Sequence, residues 1–136
     1  MDRALLSGAD FAGAHLQSAN LVGALAEQAC FDRADLSRAR LSGANLVSAS
    51  LESACLAKAD MEFALMANAV LQGACLDEAD MSGAQLDAAV LTGADLRKAN
   101  LRGAGFRNAR PQCGMSGGQN TTTRLTCLGP VYGGSI

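Results

Sequence analysis

Apolar positions recur along this chain with a period of five. Ala stands at every fifth residue from Ala4 to Ala109, 22 times without a break. Two residues after each, from Leu6 to Phe106, stands a larger apolar residue. Those 21 positions hold 14 Leu, three Phe, three Met and the single exception Ala26, so the unit reads Ala-x-Leu-x-x. A straight α-helix has no use for this period, because residues five apart land about 140° apart and spiral around every face. A straight strand would send them alternately to opposite sides. Within each unit, however, Ala and Leu are two apart and share one face of a short extended segment. The pattern therefore predicts a chain that turns after every unit to bring the next Ala-x-Leu inward. Gly is frequent at the second residue after Leu, as at Gly8, Gly13, Gly43 and Gly83, where a tight corner favours it. The expected result is a coil of short extended walls stacked at the strand separation of ~4.8 Å.

The residues beside the apolar pair sharpen this picture. GADF, SANL, RADL, GANL, KADM, EADM, GADL and KANL all occur between Gly8 and Leu101. In these segments the chain resembles the pentapeptide-repeat family, whose pattern is A(D/N)LXX, and the resemblance covers residues 1–110. It implies an all-β fold, a right-handed quadrilateral β-helix with four units per coil, here of about five coils. The 22 units make about five and a half coils, a rod ~26 Å long at the strand spacing. Ala and Leu would fill a narrow interior in which a larger group at the Ala position would clash. Ala26 should leave a small deficit there, next to Phe31.

With four units per coil, residues 20 apart stack and the outward residue before each Leu forms four columns. Leu5, Leu25, Asn45, Leu65 and Gln85 form the first. Asp10, Cys30, Ser50, Val70 and Val90 form the second. His15, Asp35, Cys55, Cys75 and Asp95 form the third, and Asn20, Arg40, Asp60, Asp80 and Asn100 the fourth. The first two are apolar for a position that the family often fills with Asp or Asn. Phe63, Leu65, Val70 and Val90, with Leu5, Leu25 and Val47, are the candidate partner-docking residues, on the expectation of one patch across neighbouring walls. The third column and its flanks (Asp35, Arg38, Lys58, Asp77, Glu78, Arg97, Lys98) read as a ladder of compensating charge.

Charge and cysteine content narrow the function classes. The net charge is −2, which argues against a general nucleic-acid binder. Residues 1–96 hold all 13 acids and five bases, whereas residues 97–136 hold six bases and no acid. One end of the rod is therefore acidic and the other basic. No run of about 18 apolar residues is present, so a membrane-spanning helix is excluded and contact with a membrane is peripheral at most. Cys55 and Cys75 should be stacked neighbours with poorly aimed Cβ vectors, hence free thiols. No CxxC spacing occurs. Cys113 and Cys127 have the spacing to pair in an oxidising compartment, though nothing further indicates that they do. One His and no patterned nucleophile leave no catalytic constellation, no metal centre, no cofactor and no small-molecule substrate to expect.

The repeat stops at Pro111, which has no N–H for a ladder. Residues 111–136 read as a Gly-rich linker at 112–120, a capping strand at 121–128 and an extended tail. The repeat starts at residue 1 with no capping segment, which suggests a processed start or a partner over that end. Together these features point to a non-enzymatic interaction module, a small rigid rod docking through a protein partner on a larger assembly. The habitat of the family makes an accessory subunit of a photosynthetic membrane complex a concrete form of this reading, in the thylakoid lumen or the cytoplasm. The resemblance also implies an alternative, a DNA-mimicking, gyrase-binding protein of the quinolone-resistance type. The modest acidity, the short rod and a tail without a helical dimer module weigh against it.

Overall fold

The computed structural model describes residues 3–111, and all of them belong to one right-handed quadrilateral β-helix. Successive outward residues pair in parallel with the residue 20 further on, from Leu5 with Leu25 to Gln85 with Gly105. The four columns expected from the sequence are the four walls. Each wall contributes little more than one ladder residue per coil. Among the described residues two strands are continuous, β1 (Val90–Leu91) and β2 (Arg110–Pro111), which pair in the same parallel register. Pro111 thus still occupies a ladder position opposite Leu91. The readings for residues 112–136, including the Cys113–Cys127 pairing, lie outside the described residues.

The unit Ala44-Asn45-Leu46-Val47-Ser48 shows why this sequence holds the fold. Every one of its N–H groups has an acceptor. Ala44 donates across the corner to the Leu41 carbonyl at 2.9 Å, and Asn45 to the Ala24 carbonyl of the preceding coil at 2.8 Å. Leu46 donates to the Leu65 carbonyl of the following coil at 2.7 Å, and Ser48 to the Ala67 carbonyl at 2.9 Å. Val47, which no backbone group reaches, donates to Asn45 Oδ1 at 3.2 Å. That last bond explains the Asp/Asn preference. All eight Asp and Asn residues in the outward columns cap the N–H two residues on, as Asp10 does for Ala12 and Asp80 for Ser82. Such local side-chain bonds satisfy a donor that a corner would otherwise leave to water.

The corners carry the conformational cost. Each residue at the second position after the core Leu has a left-handed backbone, with φ between 56° and 69° from Arg3 to Asn108. The positive angle falls on the third residue of a four-residue turn, as at Gly43 between Leu41 and Ala44, the sign pattern of a type II turn. Glycine fills only eight of these corners. The other 14 hold residues with a Cβ, such as Ser48, Lys58, Phe63 and Ala88. A left-handed conformation costs such residues about 1–2 kcal/mol. The corner N–H bond to the next coil, made at each corner from Arg3 to Ala88, holds them there.

The core is a column of Ala and Leu. From Leu21 to Ala109 every inward residue is buried, and Leu46, Ala64 and Met66 have no exposure at all. Leu6, Phe11 and Leu16 of the first coil are only partly covered. Ala26, the one small residue at a Leu position, is itself buried. Phe31 stacks on Phe11 with ring centroids 5.2 Å apart and an interplanar angle of 10°. A hollow of about 170 Å³ lies among Leu6, Phe11, Leu16, Leu21 and Phe31, at the partly covered first coil.

Two substitutions test this account. Ala64→Leu should destabilise the rod by about 1–3 kcal/mol through overpacking, and an unchanged melting temperature would mean that Ala64 does not face the core. Ala88→Gly should raise stability in urea by roughly 1 kcal/mol, because it removes a Cβ from a left-handed corner. A loss of stability at that position would show that the corner is not strained.

Candidate functional site

The walls differ in what they present. On the third wall, Glu78 meets Lys58 at 3.6 Å and Lys98 at 3.5 Å, and Arg97 grips Asp95 with its Nη2 at 2.6 Å and its Nε at 2.9 Å. The hydrogen bond from Arg97 holds the Asp95 carboxyl below its ordinary range despite partial burial. Asp35 is lowered by its bonds from Ser37 and Gln17. This wall is the compensated charge ladder that its sequence suggests. On the second wall, burial of Asp32 is outweighed by bonds from the Ser50 hydroxyl at 2.5 Å and the Glu52 N–H at 3.0 Å. Asp32 thereby caps a donor one coil away, as Asp87 does for Arg107 at 2.9 Å. His15 is exposed and turns a ring nitrogen toward Gln17.

The apolar candidates fall into three groups. Leu5 and Leu25 are ladder partners on the first wall, 82% and 44% exposed. Asn45 follows Leu25 in that column, and its side-chain amide donates to Glu27, so a polar pair separates these two leucines from Leu65. Phe63 and Leu65 form the second group. Phe63 stands at the corner leading into the first wall, 62% exposed, and Leu65 is half-buried beside it. Val70 and Val90 are ladder partners on the second wall, both half-buried, and Val47 lies half-buried near the corner between the two walls. The candidates therefore lie along the first two walls and the corner between them, with Asn45 and its bond to Glu27 standing between Leu25 and Leu65.

Phe63 has a specific seat. A Cβ on Gly83, directly one coil on, would stand 2.4 Å from the Phe63 Cδ1 and 2.5 Å from its Cε1, so one edge of the ring rests where only a glycine leaves room. Sequence reasoning marked Phe63 as outward but did not see this support. The 20-residue separation of Phe63 and Gly83 was the signal for it. None of the seven apolar candidates contributes to the buried core, and none offers the oxygen that would cap the N–H two residues on. Among the described residues, no cluster of three or more His, Cys, Asp or Glu is arranged to hold a metal ion. No helix among them is long and apolar enough to cross a membrane.

Comparisons with known proteins agree with this architecture. The family model for pentapeptide repeats matches residues 4–43, 44–83 and 79–110. A search of curated protein sequences finds no significant match. Among solved structures, the chain resembles the pentapeptide repeat protein Rfr23 from the cyanobacterium Cyanothece 51142. The two share 32% identity at a TM-score of 0.66, over 67% of this chain and 63% of that one. It resembles alr5209 from Nostoc PCC 7120 at 37% identity and a TM-score of 0.59, over 67% and 72% of the two chains. It also resembles HetL, involved in heterocyst differentiation regulation in Nostoc sp. PCC 7120. That likeness has 32% identity and a TM-score of 0.52, over 79% of this chain and 62% of HetL. The chain thus matches less than two thirds of the length of Rfr23 and of HetL.

The seat of Phe63 is open to test. Gly83→Ala should cost about 1–2 kcal/mol from its left-handed backbone, at φ +66°, and a further amount from displacing the ring. In a Phe63→Ala background the second cost should vanish. Equal losses in both backgrounds, measured by urea denaturation, would show that the ring does not rest on Gly83.

Proposed function

This chain belongs to the pentapeptide-repeat family, and on that footing we propose that it is a non-enzymatic rod that docks on a protein partner within a larger assembly. Phe63 is the observation that carries the reading. A bulky apolar side chain at a left-handed corner, largely exposed, contributes little to folding and carries the strain of its backbone. Its surroundings support the same reading. Leu5, Leu25, Leu65, Val70 and Val90 replace the capping Asp or Asn at their positions, which forgoes a bond of about 1 kcal/mol each. Exposed aromatic and aliphatic side chains on a rigid support are what a partner buries at the centre of an interface. A rod whose backbone is tied at every coil loses little entropy on docking.

The cyanobacterial source of the three solved relatives supports a photosynthetic cell as the setting, with an accessory subunit of a photosynthetic complex as the specific form of the proposal. The surface gives less support to gyrase binding through DNA mimicry. The fourth wall sets Arg40 among Asp60 and Asp80, and the last described coils carry Arg97, Lys98, Arg102, Arg107 and Arg110.

The test compares the tagged chain with its Phe63→Asp/Leu65→Asp variant in cells of the source organism. Neither side chain is in the buried core, so the variant should keep the coil fold, checked by circular dichroism. Wild type should migrate in a large native complex and the variant as free protein. Equal migration of the two would remove this band of residues from the docking role.

A further inference from the structure

Two thiols on the third wall lie outside the docking surface. Cys55 and Cys75 are ladder partners on adjacent coils, both free and half-buried. The backbone fixes their spacing. The Cys75 N–H donates to the Ala54 carbonyl at 2.9 Å, and its carbonyl accepts from the Leu56 N–H at 2.7 Å. Side chains stand roughly perpendicular to an extended wall, so the two sulfurs project side by side at about the coil spacing of ~4.8 Å. A disulfide fits this poorly. It needs a Cβ separation of ~3.8 Å and an S–S bond of ~2.05 Å, and closing that gap would compress two hydrogen-bonded coils. A metal ion between two thiolates fits well, because twice a metal–thiolate bond of ~2.3 Å is ~4.6 Å.

The neighbouring donors narrow the ion. Asp35, one coil back, is engaged by the Ser37 N–H and by Gln17 Nε2 at 2.7 Å. Asp95, one coil on, is held in the fork of Arg97. His15 lies two coils from Cys55, ~10 Å by the coil spacing. Zinc asks for four ligands, whereas two thiolates that belong to no metal-holding cluster of three or more His, Cys, Asp or Glu among the described residues suit a soft ion of coordination number two. We propose that Cys55 and Cys75 form a binding site for one Cu(I)-type ion, held linearly between the two sulfurs and stapling adjacent coils of the rod. Binding exchanges the two thiol protons for the ion, with no change of oxidation state.

The test uses the 136-residue chain with Cys113→Ser and Cys127→Ser, so that the tail thiols cannot compete. Cu(I) is titrated in the presence of bicinchoninate as the competing chelator, under reducing conditions. The chain should withdraw one equivalent of Cu(I), and its melting temperature should rise on loading because the ion joins two coils. Cys55→Ser and Cys75→Ser should each weaken uptake at least tenfold, whereas Cys30→Ser should leave it intact. Circular dichroism of the metal-free variants checks that each retains the coil. Uptake that survives Cys55→Ser or Cys75→Ser, or that fails with all three wall thiols present and reduced, would overturn the assignment. So would a loaded chain that melts at the metal-free temperature.

Discussion

Every fifth residue of this rod must hold a left-handed backbone, and the rest of the structure follows from that constraint. An Ala-x-Leu pair can face a shared axis again after five residues only if the chain turns sharply between pairs. The turn places one residue at φ 56–69° at each of 22 corners, and 14 of these are not glycine. No single corner is favourable for a residue with a Cβ. The set is held because the corner N–H groups from Arg3 to Ala88 bond the coil beyond, so one such corner cannot relax without breaking the ladder on either side. Stability is therefore shared between neighbouring coils, as in other solenoids.

Strict closure in 20 residues also puts every outward side chain in register with those of the coils before and after. This arrangement amplifies whatever chemistry a column carries. Acid and base alternate into a compensated ladder around Glu78. Asp60 and Asp80, like charges on adjacent coils, coexist because Asp80 accepts bonds from the Ser82 N–H and hydroxyl and from Asn100. Two cysteines become a pair of thiols at a separation set by backbone bonds. Leucine and valine columns become an apolar band. The wall is a general support, and what it does depends on what stands on it.

The capping role of Asp and Asn sets the background against which departures have meaning. An outward Asp or Asn contributes a bond that the turn needs, and eight positions keep one. Where Leu5, Leu25, Leu65, Val70 or Val90 stands instead, that bond is given up without any gain in the core. Asp32 and Asp87 show that the chain has other ways to cap, since each reaches the N–H of the next coil where Ser50 and Gly105 offer no local acceptor of the Asp/Asn kind. The band around Phe63 has no such compensation of its own.

The fivefold period was enough, by itself, to separate inward from outward residues and to require a turn after each unit. With four units per coil it also placed Cys55 beside Cys75 and Val70 beside Val90. These features are local or recur at one constant separation, so a pattern carries them without coordinates. Only the tertiary structure decided how far the corners depart from glycine, because a left-handed backbone at Phe63 or Ala88 is tolerated through bonds made 19 or 20 residues away. The bond from Asn45 to Glu27, the seat of Phe63 on Gly83 and the Phe11–Phe31 stack beside the hollow depend on side-chain rotamers across coils. The period specifies which residues are neighbours, and packing between coils decides how those neighbours touch.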